Sequence, residues 1–309
     1  MKIAVVGAGL AGLSICYHLL QRGASVTLFE EKGIGAGASG MASGFLHPYP
    51  GLEGRRSAEA DDAYISAKEL LQTAQPYEES LLADFSGIYR HTFSAAQLER
   101  FCSHEKIYKD VKRCEENLFF IESGIAIQVP AYLRALWGTC EAKGAKWILQ
   151  KVTDLAELER EFDRVAIAAG ASLATFFPKS GLHFVKGQVV QFLLKVPLEH
   201  PRAIRRGYAT TLENPLHVEI GSTYERDFVS VEPEMDKALR LMDEQIQFFL
   251  KEEAKPIHCR AGVRVCRPHH YLPLIQTLSQ KSVALTALGS RGLLYHGLYG
   301  KKVATLLVN

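Results

Sequence analysis

Paired cysteines are the first thing this sequence lacks. Its six cysteines, at positions 16, 102, 114, 140, 259 and 266, never form a CxxC pair. That excludes a zinc knuckle and a dense disulfide framework, and free thiols in a reducing compartment are the simpler reading. Charge of one sign is also missing. Lys and Arg number 36 against 34 Asp and Glu, a formal net charge of +2, so no global field draws the chain to nucleic acid, although a local basic patch stays open. No uninterrupted apolar run approaches the roughly 18 residues of a membrane span. HExxH, G-x-S-x-G and Walker motifs are absent, which removes the zinc-peptidase, serine-hydrolase and P-loop readings. His269 and His270 have no third ligand at suitable spacing, so no metal site is expected. Repeats and low-complexity tracts are absent too. What remains is an ordinary globular chain of 309 residues, 47% apolar and 23% charged, long enough for a large core and about two domains.

The N-terminus carries the strongest local signal. KIAVV at 2–6 is a short apolar, β-branched run that reads as a buried parallel strand. GAGLAG follows at 7–12, then LSICYHLLQRG, where Leu13, Cys16, Leu19 and Leu20 recur at helical spacing and Gly23 closes the helix. SVTLFE at 25–30 is the second strand. Met1-Lys2 before an apolar stretch imitates a signal peptide, but the glycine spacing has its own explanation, and the chain is expected to be cytoplasmic.

Farther on, the glycine-rich stretch 33–44 and HPYPG at 47–51 read as loop, and 59–83 as one long helix. Strand-like pieces fall near 88–93 and 118–128. Pro130 opens a helix closed by Gly144, AKWILQKV is a strand, and VAIAAG (165–170) is a buried strand ending in glycine. Residues 183–231 alternate as antiparallel strands do, 234–253 reads as one amphipathic helix, and 282–308 as strand, glycine turn and helix. The order predicts an α/β fold: a doubly wound, Rossmann-type nucleotide domain (1–60, 135–180 and 257–309) with an inserted α+β substrate domain on an antiparallel sheet (61–134 and 181–256).

Each glycine of the loop has a separate task. Gly7 permits the strand-to-helix turn, Gly9 lets backbone approach a pyrophosphate, and Gly12 lets helix and strand pack closely. Ala8 and Ala11 complete this turn, and the phosphates sit on the helix N-terminus. Glu30 ends the second strand, where its carboxylate can accept both ribose hydroxyls and would repel a 2′-phosphate, arguing against NADP. The loop alone does not separate NAD from FAD. Three later segments favour FAD: the return through Ala169 and Gly170, the turn Gly289-Ser290-Arg291-Gly292-Leu293 before a second helix, and Ser39-Gly40 as another close-approach surface.

At this point the sequence resembles the D-amino-acid-oxidase / glycine-oxidase superfamily of FAD oxidoreductases over nearly its whole length. GAGLAGLSICYHLLQRGASVTLFEE carries the dinucleotide signature, including Glu30 and Glu31. Within the superfamily the likeness is to the FAD domain of the bifunctional tRNA wobble-uridine enzymes, through GAGASGMASGFLHPYPG (35–51), FVKGQVV (184–190), IGSTYE (220–225) and CRAGVRVCRPHHYLPLI (259–275). Two departures stand out. The methyltransferase domain that those enzymes carry ahead of the FAD part has no counterpart before residue 1. The Thr-Arg-Asp-His-Leu-Pro that usually follows the segment around Arg264 is replaced by a longer stretch without the aspartate.

The resemblance implies oxidation of a C–N bond beside a carboxylate, with FAD as cofactor. It places the carboxylate-binding arginine at Arg264; Arg291, near the flavin or the substrate carboxylate, is the next cation. Tyr224 could offer its hydroxyl to substrate, and His47 lies in a loop expected over the flavin, although packing and structural roles fit both. The expected partner is a carboxylate-bearing secondary amine, with the carboxymethylaminomethyl arm of a wobble uridine in tRNA as the specific substrate the resemblance implies. DNA and membrane are not expected, and the oligomeric state is open. A small-molecule glycine, sarcosine or D-amino-acid oxidase, an NAD-linked dehydrogenase and a non-catalytic flavoprotein remain as alternatives. Lys106, Lys109, Lys112 and Arg113, and Arg202, Arg205 and Arg206, are the basic stretches a tRNA could use.

Overall fold

The computed structural model describes residues 1–41, 44–177, 181–211 and 213–309. Its first sheet runs Leu274–Thr277, Ser282–Thr286, Arg164–Ile167, Lys2–Val6, Ser25–Glu30, Lys146–Leu149. Pairing is parallel except at Leu274–Thr277. Ile3, Ala4, Val5 and Val6 are all buried, because helices and turns cover both faces and no side of the strand needs polar residues. One face carries the helices Leu10–Leu20, Ala60–Ala74, Val129–Ala142 and Gly292–Val308. Phe29, Leu158, Phe162 and Leu173 close the other. Two glycines set the helix contacts. A Cβ on Gly300 would sit 2.2 Å from Ser14 Oγ, and one on Gly297 would sit 2.8 Å from the Ser66 backbone.

A second sheet of eight strands runs Lys255–Cys266, His183–Leu193, His217–Gly221, Tyr208–Thr211, Arg202–Ile204, Ile88–His91, Leu118–Ile121, Val111–Glu115. Only the Arg202–Ile204 pairing with Ile88–His91 is parallel. One face buries Val190, Phe192, Ala209 and Ile220 under the short helices Met235–Leu241 and Asp243–Phe249. The other face looks at the nucleotide layer: a Cβ on Gly262 would lie 2.8 Å from Ala38 Cα, and the Tyr208 and Phe45 rings meet at 5.8 Å. A small sheet of Gly44–Leu46, Ile125–Ile127 and Ala83–Asp84 links the two. The doubly wound α/β architecture with an antiparallel second sheet is therefore present.

Several local expectations need correction. The helix expected over 59–83 stops at Ala74; Pro76 sits in the 3-10 turn Gln75–Tyr77, where it withholds the N–H a continuing helix needs. The helix expected over 234–253 is two, broken at Met242. The strand near 118–128 is also two, split by the turn at Glu122-Ser123 between different sheets. A helix at Ala95–Ile107 was not expected; Ser94 caps it by accepting the Gln97 N–H at 3.3 Å. In the glycine-rich stretch 33–44, Ala38–Gly40 forms a 3-10 turn, and positions 42 and 43 lie outside the described residues, as do 178–180 at the end of the first expected domain and 212 in the alternating stretch. The division at 134/135 falls inside the helix Val129–Ala142. The helix Ala60–Ala74 packs on the nucleotide side, and Lys255–Cys266 belongs to the second sheet. Among the described residues no helix is long and apolar enough to cross a membrane.

Candidate active site

The loop glycines are required by contact as well as by torsion. Gly7 has φ +104°, and a Cβ there would lie 2.4 Å from Ala168 O and 3.2 Å from Ala169 Cα. On Gly12 it would lie 1.8 Å from Gly7 O. On Gly9 it would meet Ser39 Oγ at 2.8 Å, the atom that also accepts the Leu10 N–H at 3.2 Å. The helix Leu10–Leu20 starts with Gly9 as N-cap and no side-chain cap, so the turn through Ala8, Gly9 and Ala11 leaves a positive helix end for an anion. Glu30 faces the same turn: Oε2 accepts the Ala8 N–H at 2.9 Å and Oε1 the Lys32 N–H at 3.1 Å. Each carboxylate oxygen keeps a lone pair, enough for two ribose hydroxyls. Glu31 instead pairs with Lys151 at 3.6 Å.

The other expected cofactor residues gather at the same edge. Gly40 donates to Gly35 O at 3.1 Å. Gly292 packs against Leu10, whose Cδ1 is 3.2 Å from the place of its missing Cβ, and Leu293 Cδ1 fills the space over Gly44. Gly289, at φ +54°, abuts Cys266 Sγ and so joins the nucleotide layer to the second sheet. The strand expected to run to Gly170 stops at Ile167; Gly170, φ +53°, opens the 3-10 turn Gly170–Thr175 with open space around it.

Period two fixes what the second sheet offers this edge. Arg260, Gly262, Arg264 and Cys266 share one face, opposite Val189, Gly187 and Val185, and the register continues through Gly221 and Glu219 to Tyr208 and Thr210. The Arg264 guanidinium lies over Gly187, where a Cβ would be 2.5 Å from Nη2. Its Nη1 donates to Ser222 Oγ at 3.2 Å and its Nη2 to Thr223 O at 2.8 Å, while buried Nε has no partner. No carboxylate forms an ion pair with Arg264 among the described residues. Burial lowers its pKa from the usual value. Tyr224, 58% exposed, lies beneath the guanidinium at 5.6 Å. Arg291 stacks on Tyr271 at 4.2 Å and approaches Gly51. Three residues absent from the sequence expectations complete the face: Tyr208 donates to Glu219 Oε1 at 2.8 Å, and Arg260 pairs with Glu219 Oε2. The signal for them was present, since RAGVR places two arginines on one strand face and HVEIG puts a carboxylate at an otherwise apolar position.

His47 is set apart. It is buried at 5% exposure, with Nδ1 accepting the Tyr49 N–H at 3.3 Å. Burial, with Arg90 nearby, pushes it down to about 3. His296 is buried too, held by Tyr132 at 2.7 Å and by the Gly292 and Leu293 carbonyls, and burial brings it to about 4. Both stay neutral in the folded chain, whereas unfolded histidine titrates near 6.5. Below that value the unfolded state binds more protons, so their contribution is complete above pH 6.5 and is lost as pH falls toward the folded values. The expected loss by pH 5 is about 2 kcal/mol for each. Urea midpoints at pH 7 and pH 5 measure it, and equal midpoints would show that neither histidine is held neutral.

The family model for FAD dependent oxidoreductases (DAO) matches residues 2–306. The chain is similar to D-aspartate oxidase of Homo sapiens, 27% identical over 78% of this chain and 74% of that protein. It is also similar to the tRNA 5-methylaminomethyl-2-thiouridine biosynthesis bifunctional protein MnmC of Maricaulis maris, 28% identical over 99% of this chain and 52% of that protein. The chain thus spans about half the length of that relative. Glycine oxidase from Geobacillus kaustophilus has the same fold, with a TM-score of 0.84 at 19% identity over 99% of this chain and 95% of that one. The glycine turn, the carboxylate that faces it and a family match over nearly every residue lead to one conclusion: the chain belongs to the DAO family of FAD-dependent oxidoreductases.

Proposed function

We propose that the chain oxidises the C–N bond of an N-substituted glycine, and that this glycine is the carboxymethylaminomethyl arm of a wobble uridine in tRNA. One observation supports the first part above all. Among the described residues Arg264 is a guanidinium held by neutral groups over a glycine, with an unpartnered Nε and no carboxylate in an ion pair with it. A structural arginine at this depth would normally have its counter-ion. A substrate carboxylate matches this guanidinium in charge and in fork geometry. The cradle of Gly7, Gly9, Gly12, Glu30 and Ser39 would hold FAD, which when bound supplies the two-electron acceptor for this oxidation. The protein's own task is to orient the α-carbon: Arg264 grips the carboxylate, and the Tyr208 and Phe45 rings shape the wall. The family match sets aside the NAD-linked alternative.

The tRNA part rests on the MnmC relatives and on the distribution of cations. Arg202 is neutralised by Asp84, Arg205 and Arg206 by Glu244, and Lys112 by Glu122. These pairs remove much of the basic surface expected from sequence, and they favour the second reading, a small-molecule amino-acid oxidase. Lys106, Lys109, Arg226, Arg267 and Arg291 form no ion pair among the described residues. Anaerobic flavin reduction by carboxymethylaminomethyl-tRNA, compared with free glycine and sarcosine, decides between the readings. With tRNA, Lys109→Glu should slow reduction at low salt and have little effect at high salt. Reduction by sarcosine and none by the tRNA would establish the small-molecule enzyme.

Glu30 gives a separate check on the cofactor site. Glu30→Ala removes two charge-assisted bonds to ribose, each worth about 1.5–3 kcal/mol, and leaves the Ala8 N–H without its acceptor. FAD affinity should fall by at least about tenfold in titrations of the apoprotein. Unchanged affinity would mean that the carboxylate serves the loop alone.

A further inference from the structure

Lys186-Gly187-Gln188 lies inside the strand His183–Leu193, where a glycine weakens the strand and marks the close approach of another group. Here the approaching group is Arg264. The three atoms nearest to a Cβ on Gly187 would be its Nη2, Cζ and Nε, at 2.5, 2.8 and 3.2 Å. We propose that Gly187 is a positioning residue for the substrate carboxylate: its bare backbone is the seat that holds the Arg264 guanidinium low against the sheet. This rests on the reading of Arg264 as the carboxylate site and adds what keeps that site in place. Gly187 pairs directly with Gly262 of the neighbouring strand, so two residues without side chains leave a dent in one sheet face. Opposite positions in antiparallel strands are only about 5 Å apart. The turn Ala38–Gly40 enters the Gly262 half, where a Cβ would lie 2.8 Å from Ala38 Cα and 3.0 Å from Met41 Cγ. The guanidinium enters the Gly187 half. The dent thereby sets the cation beside the turn whose Ser39 backs Gly9.

The reverse face of the strand keeps the acceptors of that guanidinium still. Lys186 and Gln188, both fully buried, alternate with Gly187 and so point away from it. Lys186 Nζ donates to Glu232 O at 2.6 Å and to Glu234 Oε1 at 2.7 Å. Gln188 Nε2 donates to Glu225 Oε1 at 2.9 Å, and its Oε1 accepts the Glu234 N–H at 2.7 Å. Two more bonds run along the backbone, from the Thr223 N–H to Gln188 O at 3.0 Å and from the Gln188 N–H to Thr223 Oγ1 at 2.8 Å. Both ends of the segment 223–234 are tied to this strand. Ser222 Oγ and Thr223 O, which accept from Arg264, are therefore fixed relative to Gly187. Floor and acceptors share one anchor. A methyl group on the floor is not relieved by a shift of the acceptors; the guanidinium itself, the far end of a flexible side chain, has to lift.

The test is Gly187→Ala on FAD-loaded protein, with methoxyacetate as the probe, a carboxylate that carries an ether oxygen in place of the amine. Its dissociation constant is read from the flavin absorbance change. Gly187→Ala should weaken methoxyacetate by about tenfold or more, the loss of one charge-assisted hydrogen bond, while FAD content stays as in wild type. In an Arg264→Lys background the same substitution should change the constant by less than about twofold, because an ammonium on a flexible stem needs no planar seat. In an Arg264→Ala background the conflict is gone, and Gly187→Ala should raise the thermal midpoint by about 1–2 °C by restraining the unfolded chain. A methyl group that merely loosened the sheet would weaken binding in both cationic backgrounds and lower the midpoint in all. Equal loss with arginine and with lysine, wild-type affinity in Gly187→Ala, or failure of that variant to fold overturns the proposal. Wild-type protein that does not bind methoxyacetate, or binding that survives Arg264→Ala, overturns instead the carboxylate reading beneath it.

Discussion

Arg264→Ala is expected to slow flavin reduction by about a hundred- to a thousandfold while FAD stays bound. The size follows from what the substrate loses: a carboxylate taken into the cleft without its fork partner costs about 2–5 kcal/mol. Arg264→Lys should fall between, because an ammonium keeps the charge but grips one oxygen at a time and lets the substrate rotate. The local structure makes this a clean experiment. Among the described residues the hydrogen-bond partners of Arg264 are Ser222 Oγ and Thr223 O, both able to bind water once it is gone. Stopped-flow reduction gives the rate, and flavin content with the thermal midpoint gives integrity. Loss of FAD or of folding would make Arg264 structural. Normal turnover would move the anchor to Arg291.

The parts of this site that could be read in advance are those built from contiguous residues. Strand, glycine turn, helix and Glu30 occupy positions 2 to 30, and their chemistry follows from spacing alone. Arg264 was reachable because its neighbours form a recognisable segment, not because its setting was visible. Tyr208, Glu219 and Arg260 come together only through the register of four strands. Alternation says that Glu219 and Gly221 share a face; it does not say which strand lies alongside. The bonds on Arg264 were hidden for a related reason, since one of them ends on the Thr223 carbonyl, and a backbone atom has no signature in sequence. His47 shows the reverse case, in which the sequence left a structural role and a flavin-facing one both open. Its loop neighbours the cofactor segments, but burial, which only tertiary packing determines, turned the side chain into an acceptor for Tyr49. The helix Ala95–Ile107 escaped because its buried stripe is thin, with Phe101 its fully enclosed apolar side chain.

Gly12→Ala should give a protein that cannot hold flavin and that melts well below wild type even as apoprotein. Its Cβ would stand 1.8 Å from the Gly7 carbonyl oxygen, a backbone atom that cannot rotate away, so strand end and helix start must separate. Overpacking of this kind costs about 1–3 kcal/mol or more, and the movement destroys the turn that faces the phosphates. Gly9→Ala is the informative companion. Its Cβ would meet Ser39 Oγ at 2.8 Å, a side-chain atom able to turn aside, and φ at Gly9 is −89°, open to any residue. The apoprotein should therefore melt close to wild type, while FAD binding falls sharply because a methyl group occupies the surface offered to the pyrophosphate. Gly23→Ala, with φ +75° but open space around it, calibrates the torsional cost alone, about 1 kcal/mol, and should keep its FAD. Flavin stoichiometry and apoprotein melting, measured on all three, separate approach to the phosphate from packing of the turn. Full flavin content in Gly9→Ala would place the pyrophosphate elsewhere, and a wild-type melt for Gly12→Ala would mean that strand and helix are not in the close contact seen here.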